Sequence, residues 1–180
     1  MQMILDRLLT DGSSVLAAIF VAACAERAIN IASWAAALDS RPGDAAIYVE
    51  TLEFLWRPGA VDPQDVRVRM ARLEEAHEMT MADELSGLPL YGLGSVLVLH
   101  SGLGVLAEPT PANLEDCSMA ARNAAFHLEG LVPAQRFLSG EKRSQDEDIK
   151  ALAEGVSADE LRNRARAAGR DRLNLIRSRA

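Results

Sequence analysis

Residues 14–38 read SVLAAIFVAACAERAINIASWAAAL, and this stretch decides the fold class. Between Val15 and Leu38 the only charged side chains are Glu26 and Arg27. Alanine, the residue with the highest helix propensity, recurs throughout the stretch. Because it is apolar on nearly every side, we expect it to form a helix in the middle of a bundle.

Helix start signals recur along the rest of the chain. A Ser, Thr or Asp cap accepts backbone N–H bonds, and a proline at the first helical position costs no hydrogen bond. A Glu three residues after the cap completes a capping box. Such signals occur at Asp62-Pro63, Thr110-Pro111, Ser144 with Glu147, and Ser157 with Glu160. With an amphipathic segment at Met1–Leu9, they predict an all-α protein: a single helical domain over residues 1–180, a bundle of about seven or eight helices.

Two apolar stretches resemble membrane or export signals. The stretch from Leu85 to Ala107 has no formal charge over 23 residues, which is long enough to cross a bilayer. Its flanks carry acidic residues, whereas membrane helices favour Lys and Arg at their cytoplasmic ends. The run 15–25 resembles a signal peptide, but the residues before it carry a net charge of −1. We therefore expect no membrane partner, and a buried central apolar helix at 85–107.

The net charge of −7 is unevenly distributed. Residues 1–156 carry 12 basic and 23 acidic side chains, a net charge of −11, whereas residues 157–180 carry seven Arg and three acids, a net charge of +4. We expect 157–180 to be a basic C-terminal helix packed on the acidic body, which makes nucleic-acid binding the less favoured interpretation. The polar stretch 139–148 is predicted to be a mobile loop.

Candidate metal ligands are few. Glu74 and His77 form one Glu-x-x-His pair, but a di-iron bundle needs two such pairs, and His100 and His127 have no carboxylate at that spacing. We therefore predict no metal and no cofactor. Two cysteines without C-x-x-C spacing indicate reduced core thiols in a cytoplasmic protein.

Glu26 and Arg27 form the most informative polar pair, because they interrupt an apolar helix where an unpaired charge is costly to bury. The favoured interpretation is that they meet solvent or a buried partner. The alternative is a ligand site that Glu26, Arg27 and Tyr91 form between the central helices. No catalytic residue is predicted, and a non-enzymatic role is favoured over an enzyme.

Short motifs spread over residues 15–177 resemble a bacterial family of helical proteins of unknown function, typified by the enterobacterial YjaG protein. The resemblance implies a compact helical bundle and assigns no activity. It rests on residues 20–27 (FVAACAER), Gly43-Asp44, Tyr48, Leu52, Leu55-Trp56, Leu90-Tyr91-Gly92, Leu161-Arg162, Ala168-Gly169 and Asn174-Leu175-Ile176.

Three functions are compatible with these features. The favoured one is a non-enzymatic protein-interaction module, an adaptor or immunity-type protein that binds a partner protein through an acidic surface. The first alternative is a small-molecule-binding protein or enzyme with a pocket between the central helices. The second is nucleic-acid association through the basic C-terminal helix. A homo-oligomer is compatible with all three.

Overall fold

The computed structural model describes residues 14–57, 59 and 61–179, and all regular elements in these ranges are helices. The predicted all-α fold class is confirmed, while the segment Met1–Leu9 lies outside the described residues. The helices are α1 (Ser14–Ala28), α2 (Asn30–Leu38), α3 (Pro42–Leu55), α4 (Pro63–Glu74), α5 (His77–Thr80), α6 (Gly87–Ala107), α7 (Pro111–Leu128), α8 (Phe137–Ala153) and α9 (Ala158–Arg177).

Helix α1 is the centre of the bundle. It contacts α3, α6, α7, α8 and α9, and its residues from Phe20 to Ala28 are all buried. The apolar stretch that begins at Ser14 is two helices rather than one, with a turn at Ile29. The Ile29 amide still donates to the Ala25 carbonyl at 2.9 Å, so the break is local.

Three of the predicted helix starts have the expected hydrogen bonds. The Asp62 carboxylate accepts from the Gln64 amide at 2.7 Å, and the Thr110 hydroxyl accepts from the Asn113 amide at 3.2 Å. The Ser157 hydroxyl likewise accepts from the Glu160 amide at 3.2 Å. These side chains satisfy backbone donors that a helix leaves unpaired in its first turn.

The prediction of a mobile loop at 139–148 is wrong, and so is the helix start at Ser144. Helix α8 runs through both, from Phe137 to Ala153. Its buried residues follow helical spacing, but three of them are the polar Glu141, Gln145 and Asp148. Because hydrophobic periodicity counts only apolar residues, the buried face of α8 was not recognisable as one.

The basic C-terminal helix α9 packs on α1 at very short range. A Cβ atom added at Gly169 would lie 2.9 Å from the Glu26 carbonyl oxygen and 3.2 Å from the Arg27 Cα. Glycine is therefore required at this crossing. The apolar residues of α9 that are buried against the body are Leu161, Ala165 and Ile176.

Helix α6 is only half buried. By length and composition, two helical stretches of the described residues, Ser14–Leu38 and Gly87–Ala107, are apolar enough to cross a membrane. Within the fold, 72% of the first apolar window is buried but only 44% of the second. One side of α6 therefore belongs to the core, but the prediction of a buried central helix is wrong for the other side, which exposes Leu90 and Leu97.

Candidate functional site

Glu26 joins three helices. Its Oε2 accepts a hydrogen bond from Trp56 Nε1 at 2.8 Å, and its Oε1 accepts one from Arg166 Nε at 2.9 Å. Arg162 adds an ion pair at 3.4 Å, and its guanidinium lies 5.5 Å from the centre of the Trp56 ring system. Both carboxylate oxygens of Glu26 are thus used to hold α9 and the end of α3 against α1.

Arg27 is almost completely buried and holds two carboxylates from α8. Its Nη2 donates to Glu141 Oε1 at 2.9 Å, and its Nη1 donates to Asp148 Oδ2 at 2.5 Å. Glu141 also accepts from Arg172 Nη2 at 2.9 Å. Arg27 therefore lies at the centre of an ion-pair network that connects α1, α8 and α9.

Gln145 extends this network to α7. Its Oε1 accepts from Ser118 Oγ at 2.9 Å and from Arg122 Nε at 2.8 Å, while its Nε2 donates to Glu141 Oε1 at 3.1 Å. We call the connected set the polar core. Its members are Arg27, Ser118, Arg122, Glu141, Gln145, Asp148 and Arg172.

Burial and charge act in opposite directions on the acids of the polar core. Burial disfavours ionised Glu141, but Arg27 and Arg172 outweigh it and lower the pKa of Glu141 to about 2. At Asp148 burial prevails over the attraction of Arg27, so the pKa of Asp148 is raised. Burial also raises the pKa of the Cys24 and Cys117 thiols, which are both free. Neither thiol is therefore activated as a nucleophile.

A cleft of about 300 Å³ between α8 and α9 reaches the edge of the polar core. Arg27, Asp148, Arg164 and Ser144 are among the residues that line it. Arg27 and Asp148 are already bonded to each other there, so their charges are committed to the fold rather than offered to a ligand.

The cavity that Tyr91 lines contains neither Glu26 nor Arg27, the residues that were predicted to share a site with it. It packs against a second apolar cluster that contains Ile31 and Leu128, and its hydroxyl lies close to Gly130. Of the predicted trio, the structure brings only Glu26 and Arg27 together, as chain neighbours, and their side chains bind different partners.

A further buried acid, Glu78, was not singled out by the sequence analysis. It accepts hydrogen bonds from Tyr48 and from Arg41, whose Nη2 lies 2.7 Å from Glu78 Oε1. Burial and the bond to Glu78 raise the pKa of Tyr48. A single acid in a short polar segment gives no sequence signal of burial, so its role in holding the four-residue helix α5 was not predictable.

The exposed side of α6 and the neighbouring side of α7 form an apolar groove of about 440 Å³. Gly94 allows the close approach of the two helices, since a Cβ there would lie 3.1 Å from the Ala124 Cα. We call this the α6–α7 groove. Its walls include Leu90, Leu93 and Leu97 from α6, and Met119, Asn123 and His127 from α7.

A second cavity of about 400 Å³ continues the groove at one end. The two share Leu90 and His127, and the second is also lined by Tyr91, Phe126 and Glu129. Leu90, Leu97 and Met119 are 44%, 41% and 43% exposed, and Phe126 is 54% exposed. The surface is therefore a continuous apolar face rather than a set of scattered side chains.

The charges around this face are acidic. Asp116 lines the groove and Glu129 lines the second cavity, and none of the described residues that line either cavity is a Lys or Arg. Arg122 of α7 is instead buried in the polar core. The apolar face thus has an acidic border.

Another apolar cavity, of about 500 Å³, lies where α1 and α9 begin and α6 ends. Ile19, Leu55, Trp56 and Leu106 are among its lining residues. Its volume falls in the range of small-molecule sites.

In the described part of the chain, no group of three or more His, Cys, Asp or Glu side chains is placed to hold a metal ion. Nε2 of His100 instead lies 3.0 Å from Oε1 of Glu74, the last residue of α4. No family model matches the chain, and no curated protein or solved structure matches it. The function is therefore inferred from the geometry of the groove and the polar core.

Proposed function

We propose that the protein is a non-enzymatic interaction module, of adaptor or immunity type, which binds a partner protein through the acidic-bordered α6–α7 groove. One observation carries the proposal: four large apolar side chains are exposed on one continuous face, Leu90, Leu97, Met119 and Phe126. Extended apolar patches on monomeric proteins are commonly interaction sites.

The polar interior supports the same conclusion. Reactive sites hold charged groups ready for a substrate, whereas Arg27, Glu141 and Asp148 bind one another. Glu26 is similarly occupied by Trp56 and Arg166. These charges therefore support the framework that presents the groove.

Site-specific photocrosslinking in cells of the source organism tests the proposal. A photoreactive amino acid is placed at Leu97 or Met119 in the groove, and at Val49 or Val68 as matched controls. The control positions are also exposed and apolar, at 51% and 49%. We expect one and the same protein to be crosslinked from both groove positions and from neither control.

Position dependence is the decisive readout. Crosslinks of equal yield from Val49 and Val68 would contradict the proposal, because the groove would then be no more than one surface among others. Absence of any protein crosslink at Leu97 and Met119 would contradict it as well.

A second candidate function, small-molecule binding, is favoured by the 500 Å³ cavity beside Trp56. Native mass spectrometry of the purified protein tests it: a retained compound that is lost when Ala18→Phe fills the cavity would support it. Nucleic-acid association has less support, since Arg162, Arg166 and Arg172 are each paired with an acid.

We also propose that the protein is cytoplasmic and related to the YjaG-like family. Two free, buried cysteines fit a reducing compartment. The family proposal rests on the resembling motifs of the sequence, among them residues 20–27, Tyr48 and Leu55-Trp56.

A further inference from the structure

The shape of the α6–α7 groove restricts what can occupy it. From Leu90 to Ser101 the groove follows three turns of α6, about 16 Å at the rise of an α-helix. Its floor is low where Gly94 meets Ala124, and its sides are raised by leucines on α6 and by Met119 on α7. A straight rod with apolar side chains on one side complements this form.

The backbone of the groove excludes recognition by strand addition. Both walls belong to α-helices, whose amide and carbonyl groups bond within each helix, and a strand needs a free sheet edge. The described residues contain no sheet. A strand therefore has no edge to pair with here, whereas a helix, whose backbone groups bond to one another, can bind through side chains alone.

One end of the groove is suited to an anchoring side chain. The second cavity, between Tyr91 and Phe126, lies directly beyond Leu90 and His127. Gly130 lies at its wall, where a Cβ would lie 3.1 Å from the His127 carbonyl oxygen and 3.4 Å from the Tyr91 hydroxyl. A Leu, Phe or Met of the occupant would be enclosed there by aromatic side chains.

The acidic residues beside the groove favour an occupant with positive charge. Asp116 lines the groove and Glu129 lines the end cavity, where Glu129 Oε1 also accepts a hydrogen bond from the Leu138 amide at 3.0 Å, and none of the described residues that line either cavity is a Lys or Arg. A second copy of the chain would bring the same acids to a shared interface, and an anionic lipid surface would be repelled. Lys and Arg beside the apolar side chains of an occupant would instead be attracted.

We infer that the α6–α7 groove binds a cationic amphipathic helix of another protein. Its apolar side chains, at i, i+3 or i+4, and i+7, fill the groove and the end cavity, while flanking Lys and Arg face Asp116 and Glu129. This inference rests on the proposed function and specifies the partner of the same site.

Selection from a random displayed peptide library tests the inference without a known partner. The library is selected on the wild-type protein and depleted on Leu97→Glu, which changes an exposed position of the groove. We expect the surviving peptides to combine helical apolar spacing with net positive charge, and to bind the wild-type protein at least tenfold more tightly than Leu97→Glu in fluorescence anisotropy. Val68→Glu, the matched control, should bind like the wild type.

Charge reversal provides a second, independent readout. Asp116→Lys should weaken the selected peptides severalfold and strengthen versions in which their Lys and Arg are replaced by Glu. Circular dichroism of each variant verifies that it is folded. Selected peptides that are acidic, or that bind equally to Leu97→Glu, would overturn the inference, as would a library that yields no binder.

Other occupants give distinct results. A dimer that forms with concentration and is abolished by Leu97→Glu in sedimentation would identify a second copy, and binding to phosphatidylglycerol vesicles would identify lipid; either overturns the inference. If photocrosslinking from Leu97 finds a partner whose contact segment is not a cationic helix, the proposed function stands and this inference fails. If cationic helices are selected but no protein is crosslinked in cells, the proposed function fails, and the inference that rests on it fails with it.

Discussion

Arg27 supplies the counter-charge for two buried carboxylates. Replacing it with Met leaves Glu141 and Asp148 buried without it, and breaking a buried pair in this way costs about 3–5 kcal/mol. We expect urea unfolding of Arg27→Met to show a loss of that size. Arg164→Met is the matched control, because its exposed pair with Glu147, at 4.0 Å, is worth about 1 kcal/mol or less. Similar losses in both variants would contradict this account.

Glu141 makes stability depend on pH in the acid range. Its pKa falls from an ordinary 4.5 to about 2 in the fold, so its contribution is complete above pH 4.5 and is lost as the pH falls through 2. Asp148, whose pKa is raised, acts in the opposite direction. We expect Glu141→Gln to flatten the decline in unfolding free energy between pH 4.5 and pH 2. An unchanged decline would show that other carboxylates cause it.

The importance of Glu26 and Arg27 was predictable, because a charged pair in an apolar helix must find partners. The identity of the partners was not. Glu141 and Asp148 are 114 and 121 residues away from Arg27 and lie in a segment without apolar periodicity. Tyr91 was grouped with them as part of a pocket between the central helices, but it lines the cavity at the end of the α6–α7 groove.

At the scale of elements, the crossing of α9 over α1 depends on Gly169. A methyl group there would lie 2.7 Å from Asn30 Nδ2 and 2.9 Å from the Glu26 carbonyl oxygen, so Gly169→Ala should destabilise the protein by about 1–3 kcal/mol. Gly104→Ala is the matched control, since a Cβ there meets no atom within 4 Å. In a helix, that exchange should stabilise by about 0.5–1 kcal/mol. Thermal unfolding of both variants checks the opposite signs, and a stabilised Gly169→Ala would contradict the close crossing.

The elements themselves were predictable where a local signal set their ends, as at Asp62, Thr110 and Ser157. Helix α8 was not, because its buried face is interrupted by polar residues, and the charged ones are compatible with burial only after Arg27 and Arg172 are in place. A sequence pattern reports local preference. It does not report a counter-charge that another helix supplies.

For the whole molecule, α9 is an integral part of the fold rather than a detachable basic arm. Truncation after Gly155 removes Arg166 and Arg172, the partners of Glu26 and Glu141, and uncovers the apolar surface under Leu161 and Ile176. We expect thermal unfolding of the truncated chain to lose its cooperative transition or to shift to a much lower temperature.

The same truncated chain distinguishes an α9 that is packed on the body from a free arm that binds nucleic acid. Titration of the full chain with RNA and DNA at low and moderate salt should show no strong, salt-dependent binding, which counterion release would otherwise cause. An unaltered melting curve for the truncated chain, together with lost salt-sensitive binding, would contradict the docked helix.

The whole-molecule features that composition determines, an all-α bundle and a separation of acidic from basic segments, could be predicted. The groove could not, because the uncharged stretch 85–107 gave no sign that only one side of it would be covered. The helices that pack against α6 decide which of its sides is exposed, and only the tertiary structure shows which helices these are.

The long sequence separations in the polar core affect the order of events during synthesis on the ribosome. Asp148, a partner of Arg27, leaves the exit tunnel 121 residues after Arg27. Arg166, the partner of Glu26, leaves it 140 residues after Glu26. At a synthesis rate of about 5–20 residues per second, Arg27 and Glu26 remain without these partners for roughly ten seconds. Helix α1 therefore cannot reach its final environment until α9 has emerged, and the nascent chain must keep this apolar segment from aggregating until then.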